Sequence, residues 1–172
     1  MATTIIRPDE ILSSTGFDTS GTTLLGRIND DDSSTFSIQS NVSSQIVCTF
    51  DDGAYSGTIN SITLSIIGST SARSSATTIT AKLQDSSGTT LQSSAHTISS
   101  GDGITQKDGD AYTDSLSVSL VDGLRAQITP DTNGCHINEV FITVDFTPAD
   151  SGGGKITLTS GKITLTSGKI TL

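Results

Sequence analysis

Three short polar clusters hold the residues that could do chemistry. Asn29-Asp30-Asp31-Asp32 sets three carboxylates in a row, and oxygen-rich loops between strands can hold Ca²⁺. The run lacks the spaced ligands of an EF-hand loop, and consecutive Asp side chains also solvate a turn or hydrogen-bond its backbone. Asp30, Asp31 and Asp32 therefore stand as a weak calcium candidate. Gly101–Asp110 places Asp102, Asp108 and Asp110 among three glycines, a second and weaker loop of the same kind. Cys135-His136 joins a thiol to an imidazole, but the pair has no further ligands at metal spacing. The other histidine, His96, lies between Ala95 and Thr97, where a solvated or locally bonded ring is the simplest reading.

These residues do not form a nucleophile, base and acid set. The acids fall in turns, and the chain has no Trp, the residue that often forms sugar platforms, so no carboxylate pair for glycoside cleavage can be nominated. The expectation is a protein that is not an enzyme and needs no cofactor. Asn41-Val42-Ser43 matches a glycosylation acceptor, but MATTIIRPDE lacks the apolar run of a signal peptide, which makes the match idle. For the same reason synthesis is expected in the cytoplasm, with Cys48 and Cys135 as reduced strand thiols; two cysteines are too few for a disulfide framework.

Composition points to strands. Ser and Thr make up about a third of the chain and Gly adds 17 residues; all three are poor helix formers, while Thr suits a pleated surface. A net charge of −9 disfavours a grip on the phosphate backbone, and no run approaches the length of a membrane span. Nucleic acid and membrane are not expected partners.

Alternation then places the elements. Ile62, Leu64 and Ile66 oppose Ser61, Thr63 and Ser65; Ile79, Ala81 and Leu83 oppose Thr80, Lys82 and Gln84; Leu116, Val118 and Leu120 oppose Ser115, Ser117 and Ser119. Leu124, Ala126 and Ile128, and then Val140, Ile142, Val144 and Phe146, continue the pattern. Weaker strands are expected at Thr3–Arg7, Thr22–Ile28, Thr35–Ser40, Gln45–Phe50 and Thr89–Ser93. Pro8–Ser13 suits a single helical turn. Asp-Gly-rich turns fall at 51–53, 85–88, 101–103, 122–123 and 131–134. Short strands at this spacing give an all-β fold, an antiparallel β-sandwich or barrel. Phe141, opposite Val140 and Ile142, is either exposed or covered by a loop or subunit.

The sandwich body is expected over residues 1–148, a Gly/Ser hinge over 149–153 and a repeat arm over 154–172. The arm reads GKITLTS, GKITLTS and GKITL. Each copy sets Ile and Leu two apart, on one face of a strand, with Lys and Thr on the other. The arm residues expected to bind a partner are Lys155, Ile156 and Leu158; Lys162, Ile163 and Leu165; and Lys169, Ile170 and Leu172. Because the repeat is seven, one unbroken strand would throw successive pairs onto opposite faces. Ser160-Gly161 and Ser167-Gly168 must therefore turn, bulge or twist; two-residue hairpin loops would satisfy this. The arm is then a self-contained meander, which three five-residue strands would stabilise poorly, a docking segment for a partner, or a disordered tail.

The opening ATTIIRPDEI, the acidic loop in GRINDDDSSTF, the SITLSI strand, the ITAKLQDSSGTTL hairpin and the closing INEVFITVDF resemble the small β-sandwich modules of tailed-bacteriophage virion proteins. This resemblance covers residues 2–147, and the GKITLTS copies are similar to repetitive β-arms of phage structural proteins. It implies a jelly-roll-like fold, a homo-oligomer (a trimer), and a virion location in capsid or tail. The first functional expectation is a capsid decoration or cement protein whose partner is the major capsid protein or another virion protein. The alternative is a tail-fibre or receptor- and glycan-binding module.

Overall fold

The computed structural model describes residues 2–18, 23–30, 37–39, 44–50, 57–70, 76–149, 156–159 and 162–165. Two antiparallel sheets face each other. One contains β1 (Ala2–Ile6), β3 (Phe17–Asp18), β4 (Ser37–Gln39), β6 (Gly57–Thr70), β9 (Thr105–Asp108) and β11 (Cys135–Pro148). Its order is β3-β4-β11-β6-β9, with β1 also on β11. The other contains β2 (Glu10–Thr15), β5 (Gln45–Thr49), β7 (Ala76–Gln84), β8 (Thr90–Ser99) and β10 (Arg125–Pro130), in the order β2-β5-β10-β7-β8. The fold is the expected all-β, jelly-roll-like sandwich.

Alternation works because each sheet has one dry face. Ile62, Leu64 and Ile66 from one sheet meet Ile79, Ala81, Leu83, Ala126 and Ile128 from the other in a single core cluster, together with Val140, Ile142 and Val144. Burying each of the Ile, Leu and Val side chains among them contributes about 1.5–3 kcal/mol. The spine is the 14-residue pair β6 and β11, joined from Cys135↔Thr70 to Pro148↔Gly57 with register shifts at Ile137/Glu139 and Asp145/Phe146. At the first shift Gly68 pairs with Ile137, and a Cβ at Gly68 would lie 2.8 Å from the His136 carbonyl oxygen. Only hydrogen fits there.

Three local expectations are corrected. Leu116, Val118 and Leu120 do not form a strand: Val118–Val121 is a helical turn, α2, capped by Ser117, whose hydroxyl accepts from the Leu120 N–H at 3.1 Å. The expected strand Thr22–Ile28 holds instead the short helix α1, Leu25–Ile28, with the Gly26 N–H bonded to Thr23 Oγ1. Conversely, Pro8–Ser13 is not helical. The Asp9 N–H donates to the Thr49 carbonyl, Asp9 Oδ1 accepts from the Thr49 hydroxyl, and Glu10–Thr15 then runs as β2 along β5. Thr49 offers the backbone a sheet partner, which outweighs the weak helical preference of Pro-Asp-Glu.

Phe141 is 6 % exposed, so of the two expectations for it the covered one holds. The turn at 85–88 uses the expected Asp chemistry, Asp131 bonds across to a neighbouring strand, and the expected turn at 51–53 lies outside the described residues. Asp85 Oδ1 accepts from Ser87 N–H, Ser87 Oγ and Thr89 N–H at 2.9, 2.6 and 2.9 Å, and Asp131 Oδ1 accepts from the Thr78 N–H at 2.8 Å.

Candidate functional site

The repeat arm is the first candidate. Ile156–Thr159 (β12) and Lys162–Leu165 (β13) pair antiparallel, separately from the two body sheets. The register sets Ile156 opposite Leu165 and Leu158 opposite Ile163, with Thr157 opposite Thr164 and Thr159 opposite Lys162. Opposed residues share a face, so the four apolar positions fall on one side of the ribbon. Two residues separate the paired ends Thr159 and Lys162, the length of the shortest hairpin loop. Reversal of the chain between copies thus resolves the seven-residue phase problem. Lys155, Lys169, Ile170 and Leu172 lie outside the described residues, as do Ser160-Gly161 and Ser167-Gly168.

A second candidate lies at one end of the β2-β5-β10-β7-β8 sheet, where a single register row runs Glu10, Thr49, Arg125, Gln84 across four strands. A cleft of about 260 Å³ opens there, lined by Asp9, Glu10, Thr49, Ser86, Asp122 and Arg125 over a floor that includes Phe50 and Leu124. Phe50 and Leu124 are buried. Three carboxylates, one guanidinium and two hydroxyls line it and can hydrogen-bond a polar ligand. Sequence reasoning missed this site. Its residues come from four separate segments, and only the strand register brings them together.

Among the described residues, the polar clusters singled out in the sequence are not assembled into a metal centre. Asp30 is exposed just beyond α1, while Asp31 and Asp32 lie outside the described residues, as does Asn41. Asp102 Oδ2 accepts from the Ser99 N–H, and Asp108 Oδ1 accepts from Ser65 Oγ and Gln106 Nε2, so both brace turns or strands. No group of three or more His, Cys, Asp or Glu side chains disposed to hold a metal occurs among the described residues.

Both cysteines are buried and unbridged. Burial pushes each thiol up to about 12, which keeps it protonated and unreactive. Burial also lowers the pKa of His96 and His136, favouring neutral rings at neutral pH.

No family model matches the chain, and no curated protein matches it. Solved structures similar to it include a family 35 carbohydrate-binding module from an environmental isolate, at 15 % identity and TM-score 0.45 over 84 % of this chain and 96 % of that one. A C-terminal family 22 carbohydrate-binding module of Clostridium thermocellum Xyn10B gives 15 % identity and TM-score 0.44 over 86 % and 87 %. An isomalto-dextranase of Arthrobacter globiformis T6 gives 13 % identity and TM-score 0.48 over 84 % of this chain but 23 % of its own; the chain spans about a quarter of that enzyme. Likeness at this level identifies neither a family nor a ligand. The sandwich assignment rests on the chain's own two sheets.

Proposed function

We propose that this protein is a non-enzymatic virion structural protein, a capsid decoration or cement protein of a tailed phage, whose sandwich body sits on the shell and whose GKITLTS arm clamps it there. The observation that carries the reading is the β12–β13 ribbon, which presents four apolar positions on one face and pairs with neither body sheet. Such a ribbon is marginal alone and gains stability by lying against another surface or by extending another sheet. A protein that binds only the assembled shell stabilises it by mass action. Repeated weak contacts on one tether gain further through effective concentration.

The test is co-sedimentation of full-length protein and of residues 1–153 with capsids stripped of accessory proteins. Full-length binding that weakens on truncation supports the clamp. Equal binding by both forms removes the arm from the mechanism, and binding by neither removes the decoration role.

The cleft favours a second reading, a tail or receptor module that binds host glycan. Carboxylates and a guanidinium around an apolar floor suit hydroxyl-rich ligands. On this reading a glycan array scores full-length and 1–153 protein alike, and Asp122→Ala with Arg125→Ala abolishes the signal. An array blank for every form leaves the cleft without this role.

A further inference from the structure

The charged groups of the cleft do not neutralise one another. Glu10 and Arg125 stand two strands apart in one register row, with Thr49 between them, which sets their backbones about 10 Å apart. The Arg125 guanidinium lies toward the β7–β8 turn, on the side away from β2: a Cβ at Gly88 would be 3.8 Å from its Nη1. Among the described residues, the side chains of Glu10, Ser86, Asp122 and Arg125 make no hydrogen bond or ion pair, while Asp9 Oδ1 accepts from the Thr49 hydroxyl at 2.8 Å. The cleft therefore offers acceptors at its β2 side and a donor fork across from them.

Three carboxylates against one guanidinium leave negative charge in excess. An acidic ligand, such as a uronic acid or a phosphorylated sugar, meets that excess and is disfavoured. A neutral sugar can donate hydroxyls to the carboxylates but gains nothing from their charge. An ammonium beside Asp9 and Glu10, on a ring whose hydroxyl oxygens accept from Arg125, uses both sides through charge-assisted hydrogen bonds. Size narrows the ligand further. At about 260 Å³ the cleft falls just short of the roughly 300–1,000 Å³ that encloses drug-sized molecules, which suits a single hexose residue.

We propose that the cleft selects an amino sugar with a free ammonium group, a glucosamine-type residue, with Asp9 and Glu10 against the ammonium and Arg125 donating to a ring hydroxyl. Asp122 adds to the negative field around it. This rests on the glycan reading of the cleft and makes it specific; it does not depend on the arm. Exposed ion pairs contribute little each, about fivefold at most, so two carboxylates acting together give roughly a tenfold preference over the N-acetylated sugar. One sugar residue is itself a small ligand, with Kd on the order of millimolar.

The experiment is an NMR titration of isotope-labelled full-length protein with glucosamine, N-acetylglucosamine, glucose, galacturonic acid and acetyl-lysine methylamide. It reads the amide shifts of Glu10, Thr49, Ser86 and Arg125 at about pH 6, where the amine is charged. Glucosamine is expected to bind roughly tenfold more tightly than N-acetylglucosamine or glucose, and the preference shrinks toward unity at high salt. The double variant Glu10→Gln with Asp122→Asn loses the preference; both side chains are exposed, and amides remote from the cleft verify its fold. Arg125→Gln weakens all three sugars alike. Equal affinity for the three sugars, or a preference that the double variant keeps, overturns the amino-sugar selection and leaves the glycan reading standing. Shifts with no sugar at all remove both. Tighter binding of galacturonic acid, or of the lysine derivative, also overturns the proposal, the latter in favour of a basic peptide side chain.

Discussion

Gly68→Ala tests whether the register shift near the Cys135 end of the β6–β11 spine depends on an absent side chain. The added Cβ would lie 2.8 Å from the His136 carbonyl oxygen, 3.2 Å from Ile98 Cδ1 and 3.7 Å from Ile79 Cδ1. The isoleucine methyls can give by a few tenths of an ångström, but the carbonyl belongs to the paired strand and cannot move without disturbing its ladder. Overpacking of this kind costs about 1–3 kcal/mol, and the reduced freedom of the unfolded chain returns about 0.4–1 kcal/mol. A net loss of roughly 1–2 kcal/mol lowers Tm by roughly 3–8 °C for a domain of this size. Gly101→Ala is the matched control: a Cβ there meets nothing within 4 Å, so the unfolded-chain gain stands alone. Thermal unfolding followed by far-UV circular dichroism compares the two. A Gly68→Ala protein that melts with or above the wild type would refute the argument from close approach.

Acid should reveal the Asp85 turn. The hydrogen bond from the Ser87 hydroxyl, followed by the Thr89 N–H, holds the Asp85 carboxyl below its usual 3.8, so its stabilisation is present above that value and is lost as pH falls through the lowered one. Asp85→Asn should melt below the wild type at neutral pH, with the gap closing under strong acid; a gap that persists would show the loss was not of the charged acceptor. Thiol chemistry should behave in the opposite sense. Cys48 and Cys135 ionise near 12 against a usual 9.0, so their contribution is intact below 9 and fades as pH rises toward 12. An aromatic disulfide reagent at mildly alkaline pH should label neither in the native protein and both in denaturant, and rapid native labelling of either would contradict its burial. Removal of residues 154–172 should leave the body's stability within about 0.5 kcal/mol, since among the described residues β12 and β13 pair with each other and with neither body sheet; a larger drop on denaturant titration would mean the arm braces the sandwich.

Strands with one dry face were legible because alternation is a local signal: Ile62/Leu64/Ile66 and Val140/Ile142/Val144 announce their sheets without help from the rest of the chain. Alternation misled at Leu116/Val118/Leu120. Val118 and Val121 also stand three apart, and the decision fell to the Ser117 hydroxyl, which closes a helical turn instead of a ladder. At Pro8–Ser13 the deciding partner, Thr49, lies some forty residues away. The face of the arm could be stated for each copy, but the merging of two copies into one face needed the pairing of Thr159 with Lys162. The cleft was illegible for a related reason: Glu10, Thr49 and Arg125 become neighbours only through register, and nothing in their separate strands marks them as a set.

The pairing of Ala2 with Phe146 has a practical consequence. The body's first and last strands lie side by side, so its two chain ends emerge from the same end of the sandwich, next to Gly57 and Pro148. A tag or cargo fused ahead of Ala2 would therefore sit beside Phe146 and Pro148, where the chain leaves the body. The Asp131–Gly134 connection enters β11 at Cys135, opposite Thr70, and so lies at the other end of the spine. Cargo meant to be kept clear of both chain ends belongs there, provided Asp131 keeps its bond to Thr78.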